Sequence, residues 1–374
     1  MRQWVKQSAL TLPADGVAQE IWTLLDGDRV AASYPVELHL GKELDVLKLR
    51  TENCAELREY AEQFQAIVRR LYADATALRV LAACPCCGAP SGDLRPALEV
   101  YGARYMRCGS CGHVFIAAQP APEALFSAFE EEEDLSVFYV DTDTLEMRMR
   151  DIVQPKIDWV LEAYERFVGG RPSGVLDVGA GGGHFVAGCR RNELKADGIE
   201  LSTSSVGFAR QAFDVDLMQA NYLEQRIERG RYDLLTFWGL LEYAPEPAAF
   251  FEAARAQLEP GTGMLILEVP RSDSVCLAVQ EQFTGTVWRH AMPDSHMNLY
   301  SDAALATLLH DHGFKPVAAW YFGMDVYELL MQVGLDLDSD EVLSTQGRLI
   351  APLQDFFDRA RLSDDIVVAA VPVN

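Results

Sequence analysis

From Asp151 onward, apolar residues switch repeatedly between helical spacing and short continuous runs. The pattern predicts a helix over Ile152–Phe167, a strand over Gly174–Val178, a helix over His184–Asn192 and a strand over Ala196–Glu200. A helix over Ser204–Ala212 and strands over Val215–Gln219 and Tyr232–Trp238 follow, then a helix over Pro247–Leu258 and a strand over Gly263–Val269. Five strands separated by helices imply a parallel sheet covered on both faces, an α/β architecture. Two later apolar segments, Lys315–Phe322 and Asp365–Val373, extend the sheet. Upstream the pattern is weaker. Residues 1–80 read as a helical extension, because Leu44, Leu47, Leu57, Phe64, Ile67, Val68 and Leu71 recur at roughly helical spacing, with Pro13 and Pro35 interrupting the earlier part. Residues 81–118 hold short strand-like pieces around a cysteine cluster. Residues 119–150 open on Gln119-Pro120-Ala121-Pro122, include the acidic run Glu130 to Asp134, and read as a linker or lid. Residues 151–374 form the α/β domain.

Composition narrows the function classes. Hydrophobic residues make up 49% of the 374, enough for a sizeable core. The chain has no apolar run of eighteen residues and no secretory signal at its start, so a cytoplasmic protein is expected. Net charge is −24. Nucleic acid and anionic membrane surfaces both call for a basic footprint, so neither is an expected partner.

The richest motif is Val175-Leu-Asp-Val-Gly-Ala-Gly-Gly-Gly-His-Phe185. An apolar strand runs into a glycine turn, and a helix starts directly after it. Glycines there admit positive φ and a close backbone approach, and the helix N-terminus offers free N–H groups. Glu200 lies 21 residues after Gly179, at the tip of the next strand, where a carboxylate accepts hydrogen bonds from ribose hydroxyls. The glycine spacing, Gly179-x-Gly181-x-Gly183 behind Asp177, resembles the first motif of the class I S-adenosylmethionine (SAM)-dependent methyltransferases. That resemblance implies a Rossmann-like fold with a mostly parallel seven-stranded sheet. It implies that Asp177, Gly179, Gly181 and Gly183 hold the methionine part of SAM and that Glu200 holds the ribose. Ala220-Asn221-Tyr222 stands where the family contacts the adenine, with Asn in place of the usual Asp. Thr236 to Pro247, which includes Trp238, resembles the fourth-strand motif, with Tyr243 where His is common. Leu258-Glu-Pro-Gly-Thr-Gly263 resembles the turn before strand five. Asn221, Tyr222 and Trp238 are thereby added to the expected cofactor contacts.

Eight cysteines are present, and five fall between positions 84 and 111. Cys84-Pro-Cys-Cys87 and Cys108-Gly-Ser-Cys111 are two Cys-x-x-Cys turns, each followed by glycine. Four thiolates in that arrangement fit a closed, structural zinc site at Cys84, Cys87, Cys108 and Cys111. Cys86 and His113 are the alternative ligands. A four-cysteine module ahead of such a core is similar to the sugar C-methyltransferases and to related glycan and natural-product methyltransferases. The acceptor implied is a small molecule, a nucleotide-linked sugar among the options, with O-, N- or C-methylation open.

Methyl transfer to a hydroxyl or carbon requires a base. The irregular stretch Trp288 to Ser301 follows strand five, where such folds cover the substrate. The sugar C-methyltransferases carry a Glu-His pair near this place; here Ser295-His296 stands at the pair, with Tyr300 and Ser301 after it. His296 is the first candidate base, followed by Tyr300 and His290, while Arg289 offers a contact for a substrate phosphate or carboxylate. Two alternatives stay open: an RNA methyltransferase with a zinc module, and a non-catalytic SAM-binding interaction module.

Overall fold

The computed structural model describes residues 2–8, 18–135, 145–287 and 289–373. Its centre is a ten-stranded sheet in the order Arg2–Ser8, Ala18–Asp26, Arg29–Leu40, Phe314–Phe322, Asp365–Pro372, Met264–Pro270, Leu234–Trp238, Val175–Val178, Ala196–Glu200, Met218–Gln219. The last seven are the expected Rossmann-like sheet. Five of the nine neighbouring pairs are parallel, and Asp365–Pro372 runs antiparallel to both of its neighbours. Strands such as Val175–Val178 are buried throughout, because helices cover both faces. Alternate residues feed opposite layers. Val175, Leu234 and Ile266 pack under the helices Gln154–Phe167 and His184–Arg191, whereas Leu176, Leu235 and Leu267 pack under Pro247–Gln257 and Asp302–Asp311.

The expected helical extension over 1–80 is corrected. Residues from Arg2 to Leu40 supply three strands, and only Cys54–Leu71 is a long helix. The sheet is therefore ten-stranded rather than seven-stranded. Arg29–Leu40 pairs in parallel with Phe314–Phe322, and the other two strands continue outward antiparallel. The helical periodicity was right where it was dense: Cys54–Leu71 starts at a capping box, Asn53 with Glu56, and buries Leu57, Phe64, Ile67 and Val68.

The cysteine segment builds a four-stranded antiparallel sheet in the order Asn298–Leu299, Val114–Ile116, Ala103–Cys108, Leu94–Val100. Its first strand comes from the α/β domain, so module and domain share one sheet. The proposed linker contains the helix Pro122–Leu135, and part of it, residues 136–144, lies outside the described residues, as does Pro13. Among the described residues no helix is long and apolar enough to cross a membrane.

Candidate cofactor and acceptor site

Parallel strands in this order open a crevice at their C-terminal ends, and the predicted motif residues collect there. Val178 leads into the glycine turn, where Gly179, Gly181 and Gly183 all have positive φ, between 51° and 75°. A Cβ on Gly183 would meet the Ala209 Cβ at 2.8 Å, so the turn lies against the helix Thr203–Phe213. At the tip of the next strand, one oxygen of Glu200 accepts the Gly181 N–H at 2.7 Å. The other accepts the N–H groups of Leu201 and Ser202 at 2.7 and 2.8 Å. The carboxylate thus ties the glycine turn to the second strand and faces the crevice between them.

Asp177 is buried, and its carboxylate accepts the Thr236 hydroxyl at 2.7 Å. Burial pushes its pKa up to about 7, with the Thr236 bond pulling the other way. Its place is beneath the loop. Asn221 accepts the Leu223 N–H at 3.1 Å and donates to Glu224 at 3.0 Å, which caps a short turn. Tyr222 departs from the expectation: its ring is buried, stacked near Phe250, and its hydroxyl donates to Gln257 at 3.0 Å. Its side chain, three residues after the strand Met218–Gln219, is turned into the core, so Tyr222 is a packing residue rather than a cofactor contact. Trp238 stands at the end of strand four, its ring 5.0 Å from that of Phe185 and 4.5 Å from the Lys156 ammonium.

Three further titratable groups, Lys156, Glu268 and Glu242, lie near the end of this strand. Lys156 on the helix Gln154–Phe167 lies 2.6 Å from Glu268 at the end of strand five. Glu242 is buried, with one oxygen lacking a hydrogen-bond partner among the described residues, and so is the Trp238 indole N–H. Burial pushes Glu242 up to about 8, so it is protonated at neutral pH. None of these was singled out from sequence. Lys156 reads as the polar face of an amphipathic helix. Glu268 left a visible signal, a lone carboxylate in the apolar run Met264–Pro270.

The candidate bases separate. His296 is half-buried, edge-on to Tyr243 at 5.4 Å, and its Nδ1 donates to the His290 carbonyl at 2.7 Å. That bond leaves Nε2 with its lone pair. Burial lowers its pKa to about 3, so the imidazole is neutral. Tyr300 is corrected: it is fully buried and its hydroxyl donates to the Leu241 carbonyl at 2.8 Å, so it is a packing and hydrogen-bonding group. His290 is corrected likewise, buried with a left-handed backbone (φ 73°) and Nε2 at 3.1 Å from the Arg271 carbonyl. Arg289 is engaged by Glu328, by Asp364 at 2.5 Å and by Asp365 at 3.6 Å, which removes it from the substrate contacts. Trp288 lies outside the described residues.

The four expected metal ligands converge. Cys84 Sγ lies 3.7 Å from Cys111 Sγ, Cys87 Sγ lies 3.6 Å from Cys108 Sγ, and all four sulfurs lie within 4.8 Å of one another. Sulfurs placed about 2.3 Å from a tetrahedral zinc are about 3.8 Å apart, so the donor set fits that ion. The turns close through Gly88 N–H to Cys84 O at 3.0 Å and Gly112 N–H to Cys108 O at 2.9 Å. Hydrogen bonding from Cys111 holds the Cys84 and Cys108 thiols below the ordinary range, while bonding to Cys108 holds Cys111 above it. Cys86 and His113 fall outside the group; His113 is buried with Nε2 on Asn298 Oδ1 at 3.0 Å.

Residues 150–319 match the family model described as a methyltransferase domain. The chain is similar to the ubiquinone biosynthesis O-methyltransferase of Paraburkholderia xenovorans, 33% identical over 113 residues that cover 28% of this chain and 47% of that protein. It is also similar to the ubiquinone biosynthesis O-methyltransferase of Sodalis glossinidius, 31% identical over 113 residues that cover 28% of this chain and 44% of that protein. The chain spans about half the length of the curated relatives it matches. The solved Burkholderia thailandensis 1,6-didemethyltoxoflavin-N1-methyltransferase, with 1,6-didemethyltoxoflavin and S-adenosylhomocysteine (SAH) bound, aligns at a TM-score of 0.43 and 17% identity, covering 70% of this chain and 96% of that chain. Residues 150–319 of this chain thus match a methyltransferase domain, and they supply most of the Rossmann-like part of the sheet.

Proposed function

We propose that this chain transfers the methyl group of SAM to a small-molecule acceptor, a sugar, nucleotide-linked sugar or natural-product precursor. The observation that carries the reading is the Glu200 carboxylate, bonded to the Gly181 N–H and turned to the same crevice as the glycine turn. A ribose hydroxyl pair is the natural partner of a carboxylate so placed. The cofactor supplies the electrophilic methyl group; the chain supplies alignment and proton handling. Gly179, Gly181 and Gly183 hold the methionine portion, with Asp177 fixing the loop from below. Asn221 at the third strand tip would contact the adenine, and Trp238 would line the cofactor crevice. His296 is the candidate base, because its Nδ1–H is held by a backbone carbonyl and Nε2 keeps its lone pair; it would act as one only where the bound reactants offset the burial that lowers its pKa. Cys84, Cys87, Cys108 and Cys111 would hold a structural zinc, which would brace the loop that carries His296.

The test is incubation of the zinc-loaded protein with methyl-labelled SAM and two acceptor panels, nucleotide sugars and hydroxylated aromatic acids. Formation of SAH in step with a labelled product is the expected result. A folded protein that binds neither SAM nor SAH by calorimetry refutes the reading.

A further inference from the structure

The added N-terminal strands deliver a lysine to the catalytic edge of the sheet. Arg29–Leu40 runs parallel to Phe314–Phe322, so its end points the same way as the strands that carry the cofactor loop. The next residues are fixed: Gly41 N–H donates to Tyr321 O at 2.8 Å, and the Trp320 indole N–H donates to Gly41 O at 2.7 Å. Lys42 follows at once. Its ammonium lies 4.8 Å from the centre of the Phe322 ring and 5.8 Å from that of Trp320, and it makes no ion pair or hydrogen bond among the described residues. Lys156, Glu268, Asp365 and Asp151 are within electrostatic reach of it.

Among the described residues, the ion pairs around Lys42 and Lys156 do not include Lys42. Glu268 answers Lys156 at 2.6 Å. Asp151 is held by Arg150 through two bonds, at 2.6 and 2.7 Å. Asp365 lies 3.6 Å from Arg289 on its other side, and burial, reinforced by Asp364, raises its pKa. Burial raises Glu242 to about 8, so it is mostly protonated at neutral pH, and among the described residues the Trp238 indole N–H has no partner. Among the described residues Lys42 makes no ion pair, and burial and the neighbouring Lys156 disfavour its charge and lower its pKa to about 8. A partly buried ammonium held over aromatic faces, beside a second ammonium and an unpaired indole donor, is a receptor for an anion.

We propose that Lys42 and Lys156 form an anion-binding subsite of the acceptor pocket, taking a carboxylate or phosphate group carried by the acceptor. This assignment rests on the methyl-transfer reading above. It gives the N-terminal strands a role in acceptor choice, since they alone supply Lys42. It also reconciles an anionic acceptor with a chain of net charge −24, because the cationic spot is local.

Calorimetry on the zinc-loaded, SAH-saturated full chain at constant ionic strength tests it, with pyrophosphate and benzoate as separate probes. Binding of one or both is expected, and the probe that binds tells phosphate from carboxylate. Lys42→Ala weakens that binding by about tenfold or more, and Lys42→Arg restores most of it. Binding also falls as pH rises through about 8, where Lys42 loses its proton. The SAH affinity of Lys42→Ala stays at the wild-type value. Failure of both anions to bind, equal anion affinities in wild type and Lys42→Ala, or a parallel loss of SAH affinity overturns the subsite alone. Failure of wild type to bind SAH overturns the methyl-transfer reading, and the subsite with it.

Discussion

Replacing Glu200 with Ala separates cofactor recognition from fold integrity. In the ligand-free chain its carboxylate accepts three backbone N–H groups, from Gly181, Leu201 and Ser202. The Thr203–Phe213 helix does not depend on it, because the Ser202 hydroxyl caps that helix by accepting the Ser205 N–H at 3.2 Å. Loss of the carboxylate therefore costs the fold about 1–3 kcal/mol, the value of an exposed set of charge-assisted backbone bonds. Cofactor binding loses more. Two ribose hydroxyl bonds to an ionised acceptor contribute about 1.5 kcal/mol or more each, so SAH affinity should drop by at least about 100-fold. Glu200→Gln keeps one acceptor oxygen but turns an NH2 toward backbone donors, and should fall between the two. Calorimetry with SAH gives the affinity, and urea unfolding gives the stability. An SAH affinity of Glu200→Ala within about threefold of wild type, in a protein of near-wild-type stability, refutes the ribose assignment.

The remaining expectations test other parts. One equivalent of zinc should copurify and be released by thiol-blocking mercurials, and Cys87→Ser should lower both the zinc content and the melting temperature; a metal-free protein of unchanged stability contradicts the structural role. Gly183→Ala should destabilise by about 2–5 kcal/mol, since strain at φ 75° adds to the 2.8 Å approach to Ala209 Cβ, whereas Gly181→Ala at φ 51° meets nothing within 4 Å and should cost only about 1–2 kcal/mol; denaturation curves that rank the two the other way refute the packing argument. Asp302 carries a buried ion pair with Arg271 at 2.9 Å and also meets Lys6. Burial alone would raise its pKa, but Arg271 and Lys6 outweigh burial and hold it below the ordinary 3.8. Its contribution is therefore complete above pH 3.8 and is lost as pH falls toward the depressed folded value. Asp302→Asn should cost about 3–5 kcal/mol at pH 7, with the gap to wild type narrowing below pH 4, as read from urea unfolding at several pH values.

The α/β half of the chain was legible because its signals are local and repeated. Strand Ala196–Glu200 falls where the apolar run placed it, and Val175–Val178 and His184–Arg191 agree within a residue at their ends. The paired Cys-x-x-Cys turns were equally readable, since the spacing itself encodes convergence. The first 40 residues were not. Ala18–Asp26 does alternate, with Ala18, Glu20, Trp22 and Leu24 turned inward, but the inward Glu20 breaks the hydrophobic signal. Glu20 is acceptable there because Arg361, 341 positions later, pairs with it, a contact no local window contains. Tyr300 and His290 were misjudged for a related reason. Residue type and proximity to a substrate loop name candidates, whereas burial and partner decide roles, and both groups prove to be occupied by backbone carbonyls.

Both regions that precede residue 150 touch the side of the domain that the proposed function gives to the acceptor rather than to the cofactor. The cysteine module reaches the loop after strand five at several points. Tyr105 donates to the His296 carbonyl at 2.8 Å, Ser272 donates to Gly112 O at 3.3 Å, Ser301 donates to Cys111 O, and Asn298 pairs with Phe115 in the shared sheet. Tyr72, just after the Cys54–Leu71 helix, donates to the Pro293 carbonyl at 2.7 Å. The N-terminal strands, from the other edge, set Lys42 beside Lys156. The glycine turn, Glu200 and Asp177, by contrast, are held by groups within the domain itself. A cofactor that does not change between enzymes can be left to the domain's own residues. An acceptor that does change must be met by parts outside it, and under the proposed methyl transfer those parts would be the loop held by the cysteine module on one side and an added strand on the other.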